Sequence, residues 1–178
     1  TIFSSNPQFI NCTIVNNISE INGNVDIEEN CSISIANSIL HNNQPLEIYP
    51  HTNVSGNPGQ ISIESSMIDG GYIGENNISN NPLFVDIDNN DFRLSDFSPA
   101  IGSGDPDISL NFDINNNARP APNGSNPDLG VYENDLAERE NRIIYVDQNG
   151  SDDDLGFQNQ PFQTIQAAIN IASDGDSV

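Results

Sequence analysis

Ser34-Ile35-Ala36-Asn37-Ser38-Ile39-Leu40-His41-Asn42-Asn43 is the stretch on which the fold turns. It holds two short aliphatic runs, a small polar step at Asn37-Ser38, and an Asn turn. The same order occurs upstream, from Gln8 through Asn11 and Ile14 to Asn17, and downstream, from Ser62 through Ser65 and Ile68 to Gly71. Asn11 precedes Asn37 by 26 residues, and Asn37 precedes Ser65 by 28. Self-similarity at such a period marks an array of supersecondary units. Strands this short cannot form a stable hairpin sheet alone. Stacked on their equivalents, they would pair in parallel about 4.8 Å apart. Ile14, Leu40 and Ile68 would then form an inner aliphatic ladder. Asn11, Asn37 and Ser65 would sit at equivalent bends, where an Asn side chain tolerates left-handed backbone. Val25-Asp26-Ile27, Leu46-Glu47-Ile48-Tyr49 and Ile73 to Ile78 would supply further walls. Offsets that vary by two residues suit a β-helix, whose turns bulge outward, better than a leucine-rich or ankyrin array.

Composition agrees with an array rather than one large core. Hydrophobic residues make up 35% of the 178, and Lys and Trp do not occur. Regularly placed Ile, Leu and Val argue against disorder. The formal charge is -22, with four basic residues: Arg93, Arg119, Arg139 and Arg142. Such a field repels phosphate backbones and anionic lipid, which excludes nucleic acid and the membrane surface as partners. No apolar run is long enough for membrane insertion. The chain starts and stops within a pattern, and so reads as a window on a longer protein. Cys12 and Cys31 fall at non-equivalent repeat positions and are expected as free thiols. The Asn-X-Ser/Thr triplets, such as Asn11-Cys12-Thr13, Asn53-Val54-Ser55 and Asn123-Gly124-Ser125, are explained by the abundance of Asn and Ser.

Beyond the repeat the landmarks come in order. They are Ile68-Asp69-Gly70-Gly71-Tyr72, Asn81-Pro82-Leu83-Phe84-Val85-Asp86, Asp91-Phe92-Arg93-Leu94, Ser98-Pro99-Ala100-Ile101-Gly102-Ser103-Gly104-Asp105-Pro106, Arg119-Pro120, and Asp128-Leu129-Gly130-Val131-Tyr132-Glu133. With Ile33 to Leu40, this series resembles the C-terminal end of right-handed parallel β-helix repeat proteins of the pectin-lyase-like superfamily. Gly102 departs from it, since Asp is expected there. Ile144-Tyr145-Val146-Asp147, Asn149-Gly150-Ser151-Asp152, Pro161 to Ile169 and Asp174-Gly175-Asp176-Ser177-Val178 resemble the opposite, N-terminal end of the same family.

The resemblance implies an all-β, right-handed single-stranded parallel β-helix (solenoid), with a short C-terminal strand plus cap helix from a second module. Residues 1-133 would be the last coils and closing segment, 134-142 a charged linker, and 143-178 the truncated cap of the second helix. Thr164 to Ala172 reads as a helix with Ile165, Ala168, Ile169 and Ala172 on one face. That face would lack its partner, so the segment either folds back or attaches loosely. The charges of Asp135, Glu138, Arg139, Glu140 and Arg142 favour the loose form.

No catalytic set is recognisable. Lyases of that superfamily pair calcium carboxylates with an Arg or Lys base, and hydrolases cluster carboxylates on one wall. Asp26, Glu28, Glu29, Glu47 and Glu64 form no convergent pair, and none of the four Arg stands on a coil wall beside a stacked Asp pair. His41 and His51 lack partners at metal-ligand spacing and read as solvated turn residues. Three loops repeat an oxygen side chain at every second residue: Asp86 to Asp91, Asp113 to Asn117, and Asp147 to Asp152. They read either as Asn/Asp turns bonding to themselves or as Ca²⁺ loops, the best being Asp86, Asp88 and Asn90. No other cofactor is expected.

The expected function is a non-catalytic fragment of a secreted or cell-surface protein, acting as scaffold or binding polysaccharide or cell-surface glycan. It would be a monomer or part of a longer chain. Two alternatives stand beside it: a fragment of a polysaccharide lyase or glycoside hydrolase with its active site elsewhere, and a tandem-repeat adhesin.

Overall fold

The computed structural model describes residues 6–18, 31–44, 60–172 and 175–178, and residues 25–27 and 48–50 by backbone alone. Three strand families arise from the repeat. β1 (Gln8–Ile10), β4 (Ser32–Ala36) and β7 (Gln60–Glu64) form one parallel sheet. β2 (Thr13–Val15), β5 (Ile39–His41) and β8 (Met67–Ile68) form a second. β3 (Val25–Ile27) and β6 (Ile48–Pro50) form a two-stranded third. The register pairs Phe9 with Ile35 and Ile35 with Ile63. It also pairs Ile14 with Leu40 and Leu40 with Ile68. Asn11, Asn37 and Ser65 each adopt positive φ, at 51°, 50° and 44°. Those bends aim successive strands at two different sheets.

Ser and Cys hydrogen bonds tie the rows at these bends. The Cys12 N–H donates to Ser38 Oγ at 3.0 Å, and the Ser38 N–H to Ser66 Oγ at 3.1 Å. The Ser66 N–H then donates to Asn77 Oδ1 at 3.0 Å. Asn77 Nδ2 bonds the Ile63 carbonyl, so this one side chain stands where a further strand row would begin.

The sheet topology overturns the expected fold. The described residues form small separate parallel sheets with strands of two to five residues. They do not form a long right-handed β-helix solenoid, and the resemblance to the pectin-lyase-like superfamily does not carry over. The physical reason lies after Ile68. The chain turns at Gly70 and Gly71, both at positive φ, and adds to the stack a single parallel bridge, Ile78 on Met67, before it departs from the repeat. β9 (Phe84–Asp86) and β10 (Asp91–Leu94) pair antiparallel. The irregular closing segment after β10 packs on the flank of β2, β5 and β8 rather than adding to the stack.

The middle sheet is therefore covered on both faces. On one face Leu40 and Ile68 pack with Ile35 and Ile63, flanked by Phe9 and Ile14. On the other, Ile39 and Met67 pack with Phe84, Leu94, Ala100, Ile101 and Leu129. This explains why Ile39-Leu40 is apolar at successive positions: in a strand they point to opposite faces. The closing segment is fastened at the bends. The Asp105 N–H donates to Asn37 Oδ1 at 2.8 Å, and the Leu110 N–H to Asn11 Oδ1 at 2.9 Å. The Gly130 N–H donates to the Asn37 carbonyl at 2.8 Å. A Cβ at Gly130 would lie 2.6 Å from Thr13 Oγ1 and 3.0 Å from Ile39 Cδ1, and Gly130 has φ 86°. Gly130→Ala should accordingly lower the denaturation midpoint well beyond the change at open Gly124, where a Cβ meets nothing within 4 Å.

Residues 134–142 run along this body. Leu136 packs on the closing core, and the Glu140 N–H donates to the Asp96 carbonyl at 2.7 Å. The segment beyond has a small core of Ile144, Phe162 and Ala168. α1 (Ile165–Ile171) is capped by Thr164, whose side chain accepts from the Ala167 N–H. Its buried face differs from the expected one. Ala168, Ile171 and Ala172 turn toward Ile144 and Phe162, while Ile165 and Ile169 remain 63% and 55% exposed. No helix among the described residues is long and apolar enough to cross a membrane.

Candidate functional site

The outward rows of the first sheet form a regular surface. Phe9, Ile35 and Ile63 point inward, so Gln8, Ser34 and Ser62, one residue earlier on β1, β4 and β7, point outward. Ser32 and Gln60 make a second outward pair two residues before. Together they line a shallow groove of about 550 Å³. Its lining carries hydroxyls and amides together with Pro7, Ile33 and Ile61, and no formal charge, on a chain of net charge -22.

The oxygen-rich loops are built as turns. Asp86 caps a 3₁₀ turn, Oδ1 accepting the Asn89 N–H and Oδ2 the Asn89 carboxamide at 2.8 Å. Asp88 is exposed, and Asn90 takes the left-handed conformation with its N–H on the Ile87 carbonyl. Asp113 accepts from the N–H groups of Asn115, Asn117 and Glu133. Asp147 accepts the Asn149 N–H and carboxamide. Among the described residues, no group of three or more His, Cys, Asp and Glu could hold a metal ion.

The charged residues also have structural partners. Arg93 forks onto Asp91 at the surface, Nε lying 2.8 Å from Oδ1. Arg139 Nη1 bonds Asp176 Oδ1 at 2.9 Å, and Arg142 is buried beside the same carboxylate. These two Arg line a cleft of about 360 Å³ together with Phe97 and Phe162. His51 and the carboxylates Asp26, Glu28, Glu29 and Glu47 lie outside the described side chains. No disulfide joins Cys12 and Cys31, and burial pushes the Cys12 thiol up.

Two arrangements escaped the sequence reading. His41 is no solvated turn residue: Nδ1 lies 2.7 Å from Asp69 Oδ1, and its side chain is 15% exposed. Burial raises the Asp69 carboxyl, but hydrogen bonds from His41 and the Asn42 N–H hold it below its usual range. The pair is spaced by 28 residues, the repeat offset itself, and that was the available signal. The second arrangement is a buried charge cluster at the closing end. Arg119 Nη1 donates to the carbonyls of Asp128 and Gly130, both at 3.0 Å, and Nε lies 3.3 Å from Glu133 Oε2. Glu133 accepts the N–H groups of Ala121 and Asp128. Asp128 accepts the Gly102 and Asn134 N–H groups at 2.8 and 2.6 Å. No spacing rule in the sequence links these residues.

Burial pushes the Asp128 carboxyl up to about 7, against its two N–H donors, and raises Glu133 as well. A carboxyl with a folded pKa above its unfolded value binds its proton more readily when folded. Its contribution therefore favours folding at low pH and declines as pH rises from about 4 to 7. Asp69 and Asp113, held low, act only below about pH 4. The denaturation midpoint should fall between about pH 5 and pH 7, then level off. Asp128→Asn should flatten that slope, and a midpoint that rises with pH in the wild type would contradict the assignment.

No known protein family, curated protein or solved structure matches the chain.

Proposed function

We propose that this chain is a non-catalytic scaffold of a secreted or cell-surface protein, and that it binds glycan along the outward rows of β1, β4 and β7. One observation carries the reading: uncharged hydroxyl and amide side chains stand in register on parallel strands. Parallel strands repeat at about 4.8 Å, so the rows form a regular ladder of donors and acceptors. An extended polysaccharide presents its own hydroxyls at regular intervals, and Ser, Gln and Asn both donate and accept. The non-catalytic part is supported by the buried carboxylates. Perturbed carboxyls are the usual candidates for acid and base chemistry. Here Asp128, Glu133 and Asp113 are engaged by backbone N–H groups that brace the closing segment.

Calorimetric titration with neutral and acidic oligosaccharides of increasing length tests this. Affinity should rise with length until the ligand spans the three strands, and no new reducing end should appear. Replacing Ser34 and Ser62 together by Ala should weaken binding about tenfold, the equivalent of one or two net hydrogen bonds. Affinity unchanged by that double replacement, or turnover of the glycan, would refute the proposal.

A further inference from the structure

We infer that Asn123 is a site of spontaneous deamidation and isoaspartate formation, and that the fold protects the chemically identical pair Asn149-Gly150. Both are Asn-Gly pairs followed by Ser. Asn-Gly is the sequence in which the following amide nitrogen is least shielded, because glycine has no side chain. In the step, the Gly124 backbone nitrogen loses its proton and attacks Cγ of Asn123. The N–Cγ bond forms, the Cγ–Nδ2 bond breaks, and the nitrogen leaves as ammonia. Solvent water then opens the succinimide. Attack at Cγ gives Asp, and attack at the backbone carbonyl gives isoaspartate. No oxidant or reductant is involved.

The structure separates the two sites. Asn123 and Gly124 are the central residues of an exposed turn closed by the Ser125 N–H on the Pro122 carbonyl at 3.1 Å. Among the described residues, no hydrogen bond engages the Asn123 carboxamide or the Gly124 N–H. A Cβ built on Gly124 meets nothing within 4 Å, so the nitrogen is open and the turn has room to adjust. At the other pair the reacting groups are tied down. The Gly150 N–H donates to the Asp147 carbonyl at 2.8 Å. The Asn149 carboxamide donates to Asp147 Oδ1 at 3.0 Å, and the Asn149 N–H to the same oxygen at 2.8 Å. Gly150 is also wedged, since a Cβ there would lie 2.2 Å from the Pro161 carbonyl oxygen. Succinimide formation at Asn149 would have to break these bonds and shift Gly150 against the Pro161 backbone.

The consequence at Asn123 is local. Deamidation adds one negative charge to a chain already at -22. Isoaspartate lengthens the turn that leads into Pro127 and the buried Asp128.

Incubation of the folded protein in warm, mildly alkaline buffer, followed by peptide mass mapping and isoaspartyl methyltransferase labelling, tests the inference. The peptide carrying Asn123 should gain one mass unit and accept label. Asn149 should react about tenfold or more slowly, the factor for opening one or two net hydrogen bonds. In denaturant the two sites should react at similar rates. Asn123→Gln should remove the label from that peptide and leave the rest of the map unchanged. Equal rates at the two sites in the folded protein would overturn the inference. So would an unreactive Asn123 in folded protein whose denatured form reacts there.

Discussion

Arg119→Ala should lower stability at neutral pH by about 3–5 kcal/mol, the usual cost of removing one partner from a buried ion pair. The Arg119 and Glu133 side chains are fully buried, so neither charge recovers its hydration when the other is lost. The substitution also leaves the Asp128 and Gly130 carbonyls without their shared donor. With total stabilities of about 5–15 kcal/mol for typical domains, this loss brings the closing end near its threshold. Arg93→Ala is the control. That residue is 61% exposed and pairs with Asp91 at the surface, where solvent and salt screen the attraction. Urea midpoints of the two variants should differ widely, and similar midpoints would mean that Arg119 does not organise the closing end.

Leu40→Ala should be comparably severe, at about 2–5 kcal/mol. Leu40 is 0% exposed and lies between Ile14 and Ile68 in the ladder. Neither neighbour can collapse into the void without leaving its own strand register. Ile169→Ala, on the open side of α1, should change stability by no more than about 0.5 kcal/mol. Equal effects at the two positions would show that the aliphatic ladder is not the centre of the fold.

The ladder was legible because its causes are local. A few alternating aliphatic residues, an Asn that accepts positive φ, and offsets of 26 and 28 residues are all visible along the chain. They led to the pairs Ile14–Leu40 and Leu40–Ile68 and to the bends at Asn11, Asn37 and Ser65. The extent of the stacking has a different cause. It is set by residues beyond Ile68, where Asn77 takes up Ser66 N–H and the closing segment covers the flank of the middle sheet. The covering contacts join Ile39 and Met67 to residues as distant as Leu129, so the pattern along the chain does not set where the stack ends. The same holds for the helix. Its hydrophobic spacing admits a face through Ile165 and Ile169 or one through Ile171, and the bulk of Phe162 and Ile144 selects the second. Arg119, Asp128 and Glu133 carried no periodic signal, because their positions are dictated by the closing turns.

The outward ladder is the centre of the functional account, and amide chemical-shift mapping with a neutral oligosaccharide tests it directly. Shifts should concentrate at Gln8, Ser32, Ser34, Gln60 and Ser62 and saturate together, while the amides around Asp128 and Glu133 stay in place. Saturable shifts confined to the cleft of Phe97, Arg139 and Arg142, with none along β1, β4 and β7, would contradict it.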